Sequence, residues 1–276
     1  MRVLVTGSAG AVGQAILAPL SAAGHRVSGI DRRPTPGVAV GDARVGELAE
    51  PETLRAVLDG VEVVVHLAAA ARPFADLEAE LIPDTIVPTQ RLLDGAVAAG
   101  VRRVVLASSM HVVAGHPAGI EVDERAEPRP INPYGASKVM VEALARVAYE
   151  VHGLEVVVVR LGALRGYHGA RGPRDLARVV KRRLGDAITT LRRRRPAPDT
   201  VVVDAANLPR VAIGPGDTAA LFRAAVEAPG VGYAVVYGTS APDGSLSQAG
   251  ARELLGYEPR DRVGNLFPPG WRPPRP

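Results

Sequence analysis

The chain has 276 residues, of which 47% are hydrophobic, with no cysteine and a formal net charge of +4. The length favours one core with embellishments, and a chain without cysteines excludes disulfides and thiolate metal sites, so we expect no metal and a cytoplasmic location. No run approaches the roughly 18 apolar residues of a membrane span, and the charge is too mild to indicate a nucleic acid partner.

The first stretch predicts a dinucleotide-binding turn. A short apolar strand, residues 3–5, leads into three glycines and then into a helix. Gly7 suits the tight turn off the strand, Gly10 allows a ligand to approach the backbone, and Gly13 allows the helix to pack close to the sheet. Free N–H groups at the helix start suit a pyrophosphate. The residues expected to contact the cofactor here are Gly7, Ala9, Gly10, Ala11, Val12 and Gly13.

The end of the second predicted strand, residues 26–30, bears on the choice of cofactor. Asp31 follows this strand and would accept hydrogen bonds from an adenosine ribose, which favours NAD. Arg32 and Arg33 follow and would instead hold a 2′-phosphate, so NADP is the alternative. A short strand is predicted at 38–40, and Asp42 after it would lie over the adenine or serve as a turn residue.

The middle of the chain alternates strands and helices. Strands are predicted at 61–67, 103–107 and 154–160, and helices at 51–58, 84–99 (interrupted by Pro88) and 133–152. This alternation predicts a Rossmann-type doubly wound α/β fold, a parallel sheet with helices on both faces and ligands beyond the carboxyl ends of the strands. The strand predicted at 61–67 leads into Ala68 and Ala69, small residues that would lie against the cofactor together with Leu67.

The last hundred residues have a different pattern. We predict a dinucleotide-binding domain at 1–163 and a small C-terminal substrate-binding portion at 164–267. That portion includes an arginine-rich insertion at 165–200 with a helix at 174–191, then a strand at 201–203, a helix at 217–228 and a late strand at 233–237 that returns to the sheet. The proline-rich tail at 268–276 is expected to be unfolded.

Three residues in the middle of the chain suggest acid–base chemistry. Tyr134 and Lys138 lie four residues apart, on one face of a predicted helix. A tyrosine has a pKa near 10, and a lysine ammonium beside it lowers that pKa toward the working range. Ser109, at the end of a strand, would hold a substrate oxygen. Together they would move a proton while hydride crosses to or from a nicotinamide.

These motifs, in this order, resemble the extended short-chain dehydrogenases/reductases, the NAD-dependent epimerase/dehydratase family. The matches are Thr6-Gly7-x-x-Gly10-x-x-Gly13, Asp31, Gly41-Asp42, His66-Leu67-Ala68-Ala69, Ser108-Ser109 and Tyr134-x-x-x-Lys138. The resemblance covers residues 1 to about 166. It implies Ser109, Tyr134 and Lys138 as the catalytic triad, and a homodimer formed through the helices at 84–99 and 133–152.

Within that family the chain resembles the uronate dehydrogenase branch, with departures. Met110 replaces an Asn of that branch, and Ala71 and Ala163 replace serines, while His111 is kept. Each lost hydrogen-bond partner costs about 1 kcal/mol or more, which argues against a uronate. Asp84 replaces a common Asn in the helix beneath the site. The residues expected to line the substrate pocket are Ala70, Ala71, Met110, His111 and Ala163.

We therefore predict an NAD(P)-dependent oxidoreductase that reduces a ketone or oxidises a secondary alcohol on a fairly apolar small molecule, such as a secondary metabolite. Two alternatives are kept. A nucleotide-sugar epimerase or dehydratase would use the arginines at 171–195 to bind a pyrophosphate. A cofactor-binding regulator or nucleic acid partner without catalysis is disfavoured, because the arginine run has no interleaved aromatic residues.

Overall fold

The fold was examined in a computed structural model, which describes residues 1–36, 42–117, 120–165, 208–240 and 245–267. The strand predicted at 38–40, the insertion and its helix, the strand at 201–203 and the tail lie outside the described residues, apart from Arg165. Within these ranges, no helix has the length and apolarity needed to cross a bilayer.

Seven parallel strands form the main sheet, which confirms the predicted fold class. Their order is β3-β2-β1-β4-β5-β6-β9. The strands are β1 (Arg2–Thr6), β2 (Arg26–Asp31), β3 (Asp42–Val45), β4 (Val63–His66), β5 (Arg103–Ser109), β6 (Glu155–Leu161) and β9 (Tyr233–Gly238). Two short strands, β7 (Ala163–Leu164) and β8 (Ala212–Ile213), pair separately. The last strand of the sheet thus comes from the C-terminal portion.

Helices cover both faces of this sheet. They are α1 (Ala11–Ala22), α2 (Pro51–Leu58), a π-helix (Leu77–Ile86), α3 (Val87–Ala98), α4 (Pro133–His152), α5 (Pro215–Glu227) and α6 (Ala249–Leu255). The helix expected at 84–99 is therefore a π-helix followed by an α-helix. Pro88 does not interrupt α3 but lies in its first turn, where the missing N–H has no intrahelical partner to lose.

Two apolar clusters join the sheet to its helices. Successive strand residues alternate between them, because side chains along a strand point to opposite faces. Val3 and Val5 pack with α1 and α5, whereas Leu4 packs with α2, α3 and α4. The sheet is therefore buried on both sides, which accounts for the nearly continuous valine runs of its central strands.

The third strand of the structure, β3, includes Asp42, which the sequence analysis placed after a strand. β3 begins at Asp42, which pairs with Ser28 and so lies three residues before the level of Asp31. The prediction that Asp42 follows this strand is wrong, because the ladder is set by pairing with β2. The residues that follow β3 are Gly46 and Glu47, and the Gly46 N–H donates to the Asp31 carbonyl over 3.0 Å.

Gly7 is constrained by both its conformation and its neighbours. Its φ is +68°, and a Cβ there would lie 2.8 Å from the Ala68 nitrogen. Gly24 has a φ of +86°, yet a Cβ there would have no heavy atom within 4 Å. The two glycines share the left-handed conformation but differ in packing.

Replacing each glycine by alanine separates these two effects. We expect Gly24→Ala to lower the free energy of unfolding by about 1–2 kcal/mol, the cost of a left-handed residue with a Cβ. Gly7→Ala should lower it by a further 1–3 kcal/mol or so, because the backbone of β1 and the segment after β4 must also move apart. Urea unfolding of both variants measures the difference, and equal values would contradict this account.

Candidate active site

The first turn of α1 faces the carboxyl end of β1. Gly10 caps this helix without a side-chain hydrogen bond, so the N–H groups of its first turn remain available to a ligand. A Cβ on Gly13 would lie 2.6 Å from the Gly7 carbonyl oxygen, so only glycine permits this close helix–turn packing. The cradle therefore fits the phosphates of a dinucleotide.

Asp31 lies beside this turn, as the sequence predicts. Its Oδ2 accepts from the Ala9 N–H over 3.1 Å, and its Oδ1 accepts from the Arg33 N–H over 3.0 Å. A carboxylate has about four acceptor sites, so Asp31 retains capacity for a ribose hydroxyl.

His66 is buried in a hydrogen-bond chain beneath the cradle. The Thr6 hydroxyl accepts from the N–H groups of Leu67 and Ala68 over 3.2 and 3.3 Å, and lies 2.7 Å from His66 Nδ1. Nε2 lies 3.0 Å from the Thr89 hydroxyl. Burial, with a smaller effect of the Lys138 charge, lowers the pKa of His66 to about 3. The neutral ring thus fixes the backbone after β4.

Ser109, Tyr134 and Lys138 meet where β5 ends and α4 begins. Lys138 Nζ donates to the Ala107 carbonyl over 2.9 Å and lies 5.7 Å from the centre of the Tyr134 ring. The Ser109 side chain lies close enough to Tyr134 for its hydroxyl to lower the pKa of the phenol. The structure therefore brings together the three residues that the sequence singled out.

The electrostatics of this group differ from expectation. The sequence predicts that Lys138 lowers the pKa of Tyr134, but burial raises that pKa, and Ser109 is the group that opposes the rise. Burial also lowers the pKa of Lys138 to about 8, while the charge of Glu142 acts in the opposite direction. Both groups thus have their charged forms disfavoured by the protein interior.

A buried ion pair supports the group from behind. Glu142 accepts from Arg160 Nε and Nη2 over 3.1 and 2.9 Å, and also from the Ser108 hydroxyl. Arg160 Nη1 donates to the Tyr237 hydroxyl over 3.2 Å. Sequence reasoning missed Glu142, although its place four residues after Lys138 puts it on the same helix face.

Asn132 joins the start of α4 to the candidate pocket. Its Oδ1 accepts from the Gly135 N–H over 2.8 Å, and its Nδ2 lies 2.9 Å from His111 Nδ1. Burial lowers the pKa of His111 to about 4, and its ring stands edge-on to Tyr134, with centroids 5.5 Å apart. An Asn directly before Pro133 is a typical cap signal, but the bond to His111 follows only from the fold.

The predicted pocket residues differ in their surroundings. Ala71 is exposed, and Ala70 and Ala163 are half-buried. Met110 instead packs in a core cluster with Val112. Met110 was the largest apolar side chain expected in the pocket wall, so the case for an apolar pocket is weaker than the sequence suggested.

Asp84 lies on the π-helix, where its side chain is partly exposed. Its carboxylate bonds the exposed Arg32 side chain at the surface, over 2.9 Å, rather than facing the space beneath the site. The neighbouring Thr85 is fully buried, and its hydroxyl accepts from the Ala70 N–H over 3.0 Å.

Comparisons with known proteins place this geometry in context. Residues 3–206 match the family described as NAD dependent epimerase/dehydratase. Two relatives from Haloferax volcanii each align with 94% of this chain: an NAD-dependent glucose-6-phosphate dehydrogenase (31% identical, 93% of its length) and an L-arabinose 1-dehydrogenase (NAD(P)(+)) (30%, 96%). The uronate dehydrogenase of Agrobacterium tumefaciens has a similar fold, with a TM-score of 0.73 at 24% identity, over 95% of this chain and 85% of that chain.

Burial of His66 makes the stability of the apoprotein depend on pH. A histidine in an unfolded chain has a pKa near 6.5, whereas that of His66 is about 3. Below pH 6.5 the unfolded chain therefore binds a proton that the folded chain does not. Between pH 7 and pH 5 we expect the free energy of unfolding to fall by about 2 kcal/mol from this residue, and to stay level above pH 7.

Urea unfolding at both pH values measures this loss. His66→Gln should reduce the pH 7 to pH 5 difference by about 2 kcal/mol, whereas His152→Gln, at an exposed position on α4, should leave it unchanged. An undiminished difference in the His66 variant would contradict the assignment.

Proposed function

The chain belongs to the NAD-dependent epimerase/dehydratase family, and from that premise we propose that it is an NAD-dependent dehydrogenase that interconverts an alcohol and a carbonyl on a small sugar. Bound NAD supplies the hydride acceptor. The observation that carries the proposal is the meeting of Ser109, Tyr134 and Lys138 at the sheet edge where the glycine turn also lies.

The sugar class replaces the apolar substrate expected from sequence. Two relatives that align with 94% of this chain are dehydrogenases named for glucose 6-phosphate and L-arabinose. A polar feature of this chain supports the same class. Because Asn132 Nδ2 donates to His111 Nδ1, the neutral ring carries its proton on Nε2 and offers a donor for a substrate oxygen.

Each residue of the group has a distinct role in the proposed reaction. In the oxidation direction the phenolate of Tyr134 would take the proton of the substrate hydroxyl as hydride leaves carbon, and in the reverse direction the neutral phenol would return that proton. Ser109 orients the same oxygen by a hydrogen bond. The Lys138 ammonium favours the phenolate electrostatically once Tyr134 is deprotonated. In the apoprotein burial raises the pKa of Tyr134.

The phenol of Tyr134 provides the direct test of this chemistry. Tyr134→Phe should lower kcat for sugar oxidation at least 100-fold, the usual contribution of a general acid–base group, with little change in NAD affinity. Tyr149→Phe, a matched change farther along α4, should leave kcat within about twofold. Steady-state production of NADH from a panel of aldoses and of apolar secondary alcohols measures both rate and substrate class. Turnover confined to the apolar alcohols would contradict the sugar class and support the apolar substrate expected from the sequence.

The epimerase alternative is favoured by the description of the family itself. An epimerase returns hydride to its substrate and so produces no net NADH. A nucleoside diphosphate sugar that is isomerised without NADH accumulation would therefore replace the dehydrogenase assignment.

We also propose a homodimer that pairs α4 with its copy. Met140, Val147 and Val151 are 46%, 55% and 67% exposed, and with the half-buried Leu144 they form one stripe along the helix. Apolar stripes of this kind suit a partner helix, and self-pairing buries the same residues from both copies.

Placing a charged residue in this apolar stripe of α4 tests the proposed dimer. Val147→Glu should shift the protein from dimer to monomer in size-exclusion chromatography with light scattering, because the carboxylate would be buried without a partner. Leu254→Glu, an equally exposed leucine on α6, should leave the mass unchanged. A monomeric wild-type protein would contradict the proposal.

A further inference from the structure

Arg32 lies where a 2′-phosphate would be recognised, directly after Asp31 at the end of β2. Its guanidinium is already bound. Nη1 and Nη2 donate to the two carboxylate oxygens of Asp84 over 2.9 and 3.4 Å. Nε lies 4.0 Å from an oxygen of Glu47. Residues at the end of β2, in the segment after β3 and in the π-helix therefore contribute to one charge cluster.

The geometry of this cluster matters more than its contribution to stability. The Arg32 side chain is 55% exposed and that of Asp84 is 34% exposed, and pairs this exposed add little to folding. The two-pronged bond nevertheless uses the face of the guanidinium that a phosphate would need. Arg33 is engaged as well, since its Nε lies 3.6 Å from the Asp31 carboxylate.

The charges at this point disfavour a further anion. Asp31, Glu47 and Asp84 contribute three carboxylates against the two guanidinium groups, which leaves one negative charge. A 2′-phosphate would bring about two more negative charges into this cluster and would have to displace Asp84 from Arg32. A ribose hydroxyl requires only an acceptor, which Asp31 supplies.

We propose that Asp84 is a specificity-determining residue that holds Arg32 away from the 2′ position of the cofactor ribose and so gives NAD its preference over NADP. The inference rests on the proposed function, because it concerns the same cofactor. The proposal makes the discrimination between NAD and NADP depend on Asp84, in the π-helix, as well as on Asp31.

Calorimetric titration of the purified protein with NAD and with NADP tests the proposal without relying on turnover. Asp84→Asn should tighten NADP binding about tenfold, equivalent to about 1.4 kcal/mol, and leave NAD affinity within twofold. Asp94→Asn, an exposed acid on α3 that bonds Gln90, is the matched control and should change neither affinity.

The proposal requires that the gain in NADP affinity of Asp84→Asn depend on the Arg32 side chain. In the double variant Arg32→Ala with Asp84→Asn, the gain in NADP affinity should vanish, and Arg32→Ala alone should change NADP affinity less than twofold. A gain that survives in the double variant would overturn the proposal. So would a tenfold loss of NADP affinity in Arg32→Ala, since Arg32 would then already serve the phosphate.

The test also separates this inference from the proposed function. NAD binding by the wild-type protein with an unchanged NADP-to-NAD ratio in Asp84→Asn overturns the inference alone. Wild-type protein that binds neither dinucleotide overturns both.

Discussion

The common direction of the seven sheet strands determines where the candidate site lies. Because every neighbouring pair is parallel, the carboxyl ends of β1, β2, β4, β5 and β6 open toward one edge of the sheet. Asp31, Ser109 and the glycine turn are far apart in sequence but reach this edge together. If one of these strands ran antiparallel, the residue at its carboxyl end would lie at the opposite edge of the sheet and so away from the site, whatever motif that residue belonged to.

Local signals explain which parts of the fold could be predicted from sequence. Helix α4 has the predicted bounds, because Pro133 occupies its first turn and Gly153 ends it in a left-handed conformation. The place of Asp42 inside β3 could not be predicted, because the bounds of this strand are set by its pairing with β2. The π-helix at Leu77–Ile86 was not predicted, because no local sequence pattern distinguishes it from an α-helix.

The pKa shifts of Tyr134 and Lys138 could not be predicted from the sequence, for a different reason. Spacing places Tyr134, Lys138 and Glu142 on one helix face, but it does not reveal how much water reaches them. Burial disfavours the phenolate of Tyr134 and the ammonium of Lys138. The ion pair of Glu142 with Arg160 also needs a neighbouring strand, and so could be inferred only after the sheet order was known.

The position of β9 has a consequence for biosynthesis. This strand pairs with β6 along its whole length, from Val156 opposite Tyr233 to Leu161 opposite Gly238. While the ribosome is still adding the residues between them, β6 presents an unpaired apolar edge that another nascent chain could join. The sheet that carries the candidate site is therefore completed only after β9 has been synthesised, and a chain that stalls between β6 and β9 would leave the apolar edge of β6 exposed.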